Sequence, residues 1–419
     1  MKYTSVKGMT DITPGEIGLW QRLEAAARET FGRYGYSEIR TPIVEKTSLF
    51  VRGIGDSTAV VEKEMYSFDD ASGDSLSLRP EGTASVVRAY IQSGAYKISP
   101  EVKYLSIGPM FRRERPQKGR YRQFHQTNIE AIGFSDPTID AEQISMCESY
   151  FRNLGLKDFQ IEINSLGCKE CRPKYNKVFK AFLEKKGSKL CDDCNRRIQK
   201  NPLRAFDCKN EDCISVIKDA PLIGEYLCGG CVDHFAGVKK SLGLLGVKYI
   251  ENQRIVRGLD YYMRTTFEFT TDKLGTQNAI AAGGRYDGLV KDLGGPDVPG
   301  VGFAIGMERV ILLLQALNLD GSEKKDLVFF AMLGSVARDK FLPIINTLRK
   351  DGIAVELDYE DKSLKSQMRR ADRLGAHSVV IVGDAELGKN IAVVRNMHSK
   401  EQEEVKIEDL PRHFVRVEE

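Results

Sequence analysis

Between Val102 and Phe134 two apolar stretches are joined by a loop, Arg112 to Arg122, that crowds arginines and a lysine around one acid, Glu114. Two strand-length apolar runs on either side of a polar tip read as an antiparallel hairpin, and this segment constrains the fold most. Further strand-like stretches follow at Phe159 to Ile163, Arg254 to Val256, Thr265 to Thr270 and Ala279 to Ala282. Val301 to Leu317 reads as a strand running into a buried helix. Ahead of the hairpin, Ile17, Trp20, Leu23, Ala27 and Phe31 recur at helical spacing within Pro14 to Tyr34, with Pro14 placed to start the helix and Gly35 to end it. The pattern predicts an α+β domain on a mostly antiparallel sheet.

Two changes of character divide the chain. Cys168 to Cys231 is cysteine-rich, charged and weakly periodic, and reads as an insertion of about residues 165–240. Past the charged linker Asn318 to Asp326, strand-like Leu327–Met332, Ile353–Leu357, Ser378–Val382 and a last strand Ile391–Arg395 alternate with helical segments. That alternation predicts a C-terminal α/β domain with a partly parallel sheet. The expected domains are therefore 1–325, including the insertion, and 326–419.

The chain has 419 residues, with 62 basic against 59 acidic side chains, a net +3, so any nucleic-acid surface must be local. Met1 to Trp20 lacks the apolar core of a signal peptide, and no run of 18 apolar residues suggests a membrane span. The expectation is a cytoplasmic protein whose nine cysteines serve as thiols or metal ligands.

The hairpin tip, Phe111-Arg112-Arg113-Glu114-Arg115-Pro116-Gln117-Lys118-Gly119-Arg120-Tyr121-Arg122, can neutralise phosphates of a nucleotide or an RNA backbone, or it can be a solvated basic loop. Val256-Arg257-Gly258-Leu259-Asp260-Tyr261-Tyr262 sets an arginine before a tyrosine pair. Ala281 to Gly288 carries glycines that admit close backbone approach. Gly300 to Arg309 is a glycine-rich strand entering a helix; its spacing is not a dinucleotide fingerprint, because no parallel βαβ unit surrounds it.

In this order, these elements resemble the signature of class II aminoacyl-tRNA synthetases, and the middle pair resembles that of the histidine-specific members. Gly35 to Pro42 is similar to the family's first motif, used in dimerisation, and Leu78 to Thr83 to its amino-acid-binding segment. The resemblance implies that Arg112 holds the α-phosphate of ATP, Glu114 touches the adenine amino group, and Phe124 and Arg309 stack on the ring. It places Glu81, Thr83 and Gln126 on the α-amino group of histidine. Glu130 and Tyr262, with neighbouring Tyr261, would read the imidazole, which has both a donor and an acceptor to satisfy. Arg257 would sit beside the histidine carboxylate and the α-phosphate, aiding attack of the one on the other. Implied partners are L-histidine, ATP with Mg²⁺, tRNA(His) and a second copy of the chain. Gln117 and Lys118 would meet the acceptor end of the tRNA. The basic helix with Lys365, Arg369, Arg370 and Arg373 belongs to a domain resembling the family's anticodon-binding module. A non-catalytic regulatory subunit of ATP phosphoribosyltransferase, and a zinc-ribbon RNA-binding protein, are the rival readings.

The resemblance does not bear on the cysteines. Cys168/Cys171, Cys191/Cys194 and Cys228/Cys231 have the two-residue gap of a zinc knuckle, and Cys208/Cys213 has four residues between. Eight thiolates admit two structural zinc sites or one with spares; an iron–sulfur cluster, which lacks the usual ferredoxin spacing here, and a set of buried small thiols are the alternatives, and spacing does not say which pairs share an ion. Such a site is expected to be remote from the chemistry, in a segment with few large apolar residues. Cys147 reads as a buried thiol, His125 as a supporting residue, and His234 as a weak substitute ligand near Cys231.

Overall fold

The strands of the first unit are β1 (Ser37–Glu38), β2 (Val44–Lys46), β3 (Tyr66–Asp69), β4 (Ser75–Leu78), β5 (Val102–Phe111) and β6 (Gln123–Ile132), followed by β7 (Gln160–Ser165), β8 (Ile250–Glu251), β9 (Met263–Thr270), β10 (Ala279–Arg285) and β11 (Gly300–Gly306). They come from a computed structural model that describes residues 3–55, 58–275, 278–321 and 326–414, apart from the side chain of residue 200. The chain divides into two compact units, Met1–Gly321 and Ser322–Glu419. Within the linker, residues 322–325 lie outside the described residues.

The hairpin forms as β5 and β6, paired antiparallel from Val102↔Ile132 to Phe111↔Gln123. It sits inside an eight-stranded sheet ordered β1-β5-β6-β11-β10-β9-β7-β8. Only the short edge strands β1 and β8 pair in parallel. A separate three-stranded sheet has the order β2-β4-β3.

Side chains alternate between the faces of a strand, and here the two faces carry different business. Ile129 and Ala131 of β6, Phe267 and Phe269 of β9, and Val301, Phe303 and Ile305 of β11 join one apolar core with Leu23, Ala27, Phe31, Ile144 and Tyr150. These last belong to the helices Ile17–Gly32 and Pro137–Asn153. The intervening positions, among them Gln126, Asn128, Glu130 and Glu268, project the opposite way and hold the polar groups described below.

Two local expectations fail. The first helix begins at Ile17 rather than Pro14. Pro14 lies in the preceding turn, where the Glu16 carboxylate accepts from the Thr13 backbone and hydroxyl at 3.2 and 2.9 Å. Arg254–Val256 is not a strand: the Asn252 side chain accepts from the Arg254 N–H at 3.1 Å and the Ile255 N–H bonds back to Asn252, which turns the chain.

The insertion is helical, with Cys171–Glu184, Asp192–Lys200 and Glu211–Ile217 as its α-helices. It also has a core of its own, in which Tyr175, Phe179, Leu183, Leu203, Ile217 and Ile223 are buried. The expectation of few large apolar residues is thus corrected: the aromatics are there, spaced to meet only after the segment folds.

In the second unit β12 (Leu327–Met332), β13 (Ala354–Leu357), β14 (Ser378–Val382), β15 (Ile391–Asn396) and β16 (Gln402–Lys406) form a sheet ordered β13-β12-β14-β15-β16. The first three run parallel and the last two antiparallel. β16 lies beyond the expected last strand; it is an edge strand rich in exposed acids, with little apolar signal. Among the described residues no helix is long and apolar enough to cross a membrane.

Candidate active site

Glu130, on the polar face of β6, anchors the inner part of the site. Thr83 Oγ1 donates to its Oε1 at 2.6 Å and the Tyr286 hydroxyl to its Oε2 at 2.5 Å. Burial pushes its pKa up to about 8, against the pull of those two donors. Gly302 faces it from β11, and a side chain there would collide with the carboxylate, so the strand can approach only as glycine.

Glu81 lies beside it, its carboxylate accepting from the backbone N–H groups of Thr83 and Ala84 at 2.7 and 2.8 Å and from the Tyr261 hydroxyl at 3.3 Å. These bonds tie it to the start of the Thr83–Ser93 helix. Burial raises its pKa, opposed by those backbone donors. Tyr261 and Tyr262 pack ring to ring at 4.6 Å, and both are buried with Tyr286.

Arg257 lies over the Tyr262 ring at 5.2 Å, and its Nη1 donates to Glu268 Oε1 at 2.6 Å. Burial works against its charge, but Glu268 and the two tyrosines outweigh it and hold its pKa above the usual arginine value. Among the described residues, its Nε is buried without a hydrogen-bond partner. Arg112, just past β5, donates from Nε to the Pro80 carbonyl at 2.9 Å and stacks on Phe124 at 5.3 Å. Burial lowers its pKa, with Glu64 and Glu81 opposing. Arg309 donates to the carbonyls of Ala279 and Gly119 at 2.7 and 3.2 Å.

A cavity of about 290 Å³ is lined by Arg112, Glu114, Phe124, Gln126, Arg257 and Arg309, together with Glu268 and Arg120. Gln126 Oε1 is buried there with no partner among the described residues. A fixed array of guanidiniums around one space suits an anion whose charge grows during reaction. The hydrogen-bonded set Glu81, Thr83, Glu130, Tyr261 and Tyr286 adjoins it. The two groups of sequence-expected residues are therefore brought together. Gln117 and Lys118 are not among them: both are exposed at the hairpin tip, where Gln117 and Arg120 exchange backbone hydrogen bonds at 3.0 and 2.9 Å.

Glu268 and Tyr286 went unrecognised in the sequence, and Arg120 was noted only as one cation of the basic tip. Glu268 is one polar residue in an alternating strand, and Tyr286 follows the noted glycines with no mark of its own. Arg120 forms an ion pair with Glu114 across the tip. Only the folded structure joins them to the rest.

The eight paired cysteines separate into two sets of four, Cys168/Cys171/Cys228/Cys231 and Cys191/Cys194/Cys208/Cys213, each with its sulfurs within 4.8 Å of one another. The Sγ···Sγ separations are 3.7 Å for Cys168–Cys171, 3.8 Å for Cys168–Cys228 and Cys171–Cys231, and 3.8 Å for Cys191–Cys208. A tetrahedral ion with metal–sulfur bonds of about 2.3 Å sets its sulfurs about 3.8 Å apart, whereas a disulfide needs about 2 Å. His234 joins neither set. It packs against Asp140 and accepts from Arg285 Nε at 3.1 Å, in a buried cluster that ties the Gly229–Leu244 helix to β10. Cys147 is buried in the main core, and His125 is held by Glu308 at 3.0 Å.

The insertion does not stand apart from the chemistry, contrary to expectation. A larger cavity of about 790 Å³ shares Arg112, Glu114, Arg257 and Arg309 with the smaller one, and its far wall includes Arg196, Arg197, Arg204 and Asp207 of the insertion. Sequence distance hid this contact.

A mostly antiparallel sheet bearing an arginine-lined cavity, with the buried, hydrogen-bonded carboxyls of Glu81 and Glu130 on the same face, is the arrangement of a class II aminoacyl-tRNA synthetase. Residues 8–310 match the family described as histidyl-tRNA synthetase, and residues 328–416 match an anticodon binding domain. A histidine–tRNA ligase of Geobacter metallireducens is 52% identical over 402 residues, 96% of this chain and 97% of the relative. One of Thermodesulfovibrio yellowstonii is 50% identical over 410 residues, 98% and 97% of the two chains. Among solved structures, the apo histidyl-tRNA synthetase of S. aureus superposes with a TM-score of 0.83 at 35% identity, covering 98% of this chain and 99% of that one. The chain belongs to the histidyl-tRNA synthetase family. An ATP phosphoribosyltransferase regulatory subunit/histidyl-tRNA synthetase of Bacillus halodurans shares the fold, with a TM-score of 0.64 at 18% identity. The regulatory-subunit reading gains nothing from that likeness.

Proposed function

We propose that the protein is a histidine–tRNA ligase, which activates L-histidine with ATP and passes it to the 3′ end of tRNA(His). The observation that carries the reading is the convergence of Arg112, Arg257, Gln126, Phe124 and Arg309 on one cavity beside the buried carboxylates Glu81 and Glu130. In the first step a histidine carboxylate oxygen bonds to the α-phosphorus and the bond to pyrophosphate breaks. Arg112 and Arg257 balance the charge that builds on the phosphorus oxygens, so positioning and electrostatics do the work and no protein nucleophile is required. In the second, a ribose hydroxyl of the terminal tRNA adenosine attacks the carbonyl and AMP leaves.

Phe124 and Arg309 stack on the adenine and Glu114 accepts from its amino group; ATP enters as its Mg²⁺ complex. Glu81, Thr83 and the unpartnered Gln126 Oε1 receive the histidine ammonium. Glu130, with Tyr261 and Tyr262, takes the imidazole. A site built to hydrogen-bond an imidazole rejects apolar side chains, which cannot supply the donor and acceptor the ring offers. The paired cysteines hold zinc, whose tetrahedral preference and affinity for thiolate suit both four-sulfur sets. Gln117 and Lys118 meet the acceptor end. The Gly35–Pro42 segment joins two copies in a homodimer, and a reducing cytoplasm keeps the thiolates available. Histidine-dependent exchange of pyrophosphate into ATP tests the whole: exchange with histidine alone is expected, and equal exchange with another amino acid would overturn it.

A further inference from the structure

All side chains that the insertion lends to the larger cavity lie between Asp193 and Lys209. That stretch is the Asp192–Lys200 helix and the 3₁₀ turn Pro202–Asp207. Its two ends are drawn together by one sulfur cluster, with Cys191 and Cys194 at the head of the helix and Cys208 just after the turn. Cys213, from the next helix, completes the set, and the Cys191 N–H donates to its sulfur at 3.2 Å. A helix of nine residues reading Asp-Asp-Cys-Asn-Arg-Arg-Ile-Gln-Lys is too short and too polar to persist alone. What fixes it is the cluster and the few apolar contacts of Cys194 and Ile198.

The same stretch grips the segment that carries Arg257. Asn201 Nδ2 and Arg204 Nη2 both donate to Asp260 Oδ1, at 2.9 and 2.8 Å, three residues after Arg257. Arg204 also pairs with Asp207 at 3.6 Å, on the cavity wall. The other cluster has a different place. Cys168 and Cys171 follow β7, and Cys228 and Cys231 open the Gly229–Leu244 helix, so it closes the base of the insertion and none of its neighbours from Cys168 to Cys171 lines the cavity.

We propose that each chain binds two metal ions, and that the ion held by Cys191, Cys194, Cys208 and Cys213 is a positioning element of the active site, fixing Asn201 and Arg204 on Asp260 and so the aim of Arg257. The inference rests on the synthetase reading above. It makes adenylate formation metal-dependent through geometry, although the ion touches no substrate. Misplacing a transition-state donor by about 1 Å costs up to about a hundredfold in rate.

Native mass spectrometry of the full chain and single-turnover adenylate formation test it together. The wild type should carry two ions. Cys191→Ser/Cys208→Ser should carry one and form adenylate about tenfold to a hundredfold more slowly. Cys208→His, which keeps a zinc ligand, should recover both ion and rate. Arg204→Ala should keep both ions yet slow adenylate formation in the same direction, and this arm stands even if the double variant fails to fold. A chain that binds fewer than two ions overturns the proposal. So does a one-ion variant, or Arg204→Ala, with the wild-type rate. Histidine-dependent exchange by the wild type reads the synthetase function separately: its absence ends that reading, whereas its presence with insensitive variants ends only this one.

Discussion

Glu130 spends a large amount of hydration energy to be where it is: a carboxylate on a sheet face, covered by Tyr286, Thr83 and the backbone of Gly302. Its pKa of about 8 means the ligand-free folded chain holds a proton there that the unfolded chain releases above the ordinary 4.5. Because the folded state binds more protons across that window, Glu130 lowers stability progressively as pH rises from about 4.5 to about 8. Glu130→Gln should therefore be more stable than wild type at pH 8, with the difference fading by pH 5, in urea denaturation at both pH values. An equal offset at the two would show that Glu130 carries no extra proton. Arg257 differs, since Glu268 and the stacked Tyr262 keep it charged. Arg257→Ala should fold normally and slow adenylate formation by about 10² to 10³, the usual cost of one transition-state donor. Single-turnover rates within about tenfold of wild type would remove it from the catalytic set.

At the scale of elements, the β5–β6 hairpin places its two ends in different environments. Its strands are central in the sheet, and its tip turns at Gly119, with a φ of +74°, leaving Gln117 and Lys118 in solvent. Replacing both by alanine should weaken transfer to tRNA about tenfold, in line with lost backbone contacts, and leave pyrophosphate exchange nearly intact. An equal loss of both activities would assign the tip to ATP or to the fold. The base cluster of the insertion makes the contrasting case. Cys171→Ser/Cys231→Ser removes two ligands that tie the segment's first and last turns, so limited proteolysis should cut between residues 168 and 231 far faster than in wild type. Unchanged protection would make these thiols simple core residues.

At the scale of the molecule, each unit has its own apolar core, with Phe31, Tyr150 and Phe303 in the first and Phe330, Phe341 and Val380 in the second. A chain ending at Gly321 should accordingly stay folded and support histidine-dependent exchange, while charging tRNA(His) poorly, because the anticodon-binding match lies at 328–416. Loss of exchange with a cooperative thermal transition retained would mean that the second unit supports the chemistry itself.

Local pattern alone determined the elements that carry a strong period: the helix around Leu23 and Phe31, the β5–β6 hairpin and the strands β12 to β15 of the second unit. It also marked the cysteine pairs as candidate metal ligands by their spacing, whereas the roles of Arg112 and Arg257 came from the resemblance to the family and not from local pattern. The edge strand β16, with its row of exposed acids, had too little apolar signal to be found. Tertiary structure decided the rest. The path of the segment between β8 and β9 brought Arg257 to Glu268, and the β10–β11–β6 register brought Tyr286 to Glu130. The pairing of Cys168/Cys171 with Cys228/Cys231, and the hydrogen bond from Arg204 to Asp260, depend on how the insertion closes on itself and on the sheet. Spacing along a chain fixes which groups share an element's face. Only packing fixes which faces meet, because the hydrophobic and hydrogen-bond terms that choose among them are summed over residues far apart in sequence.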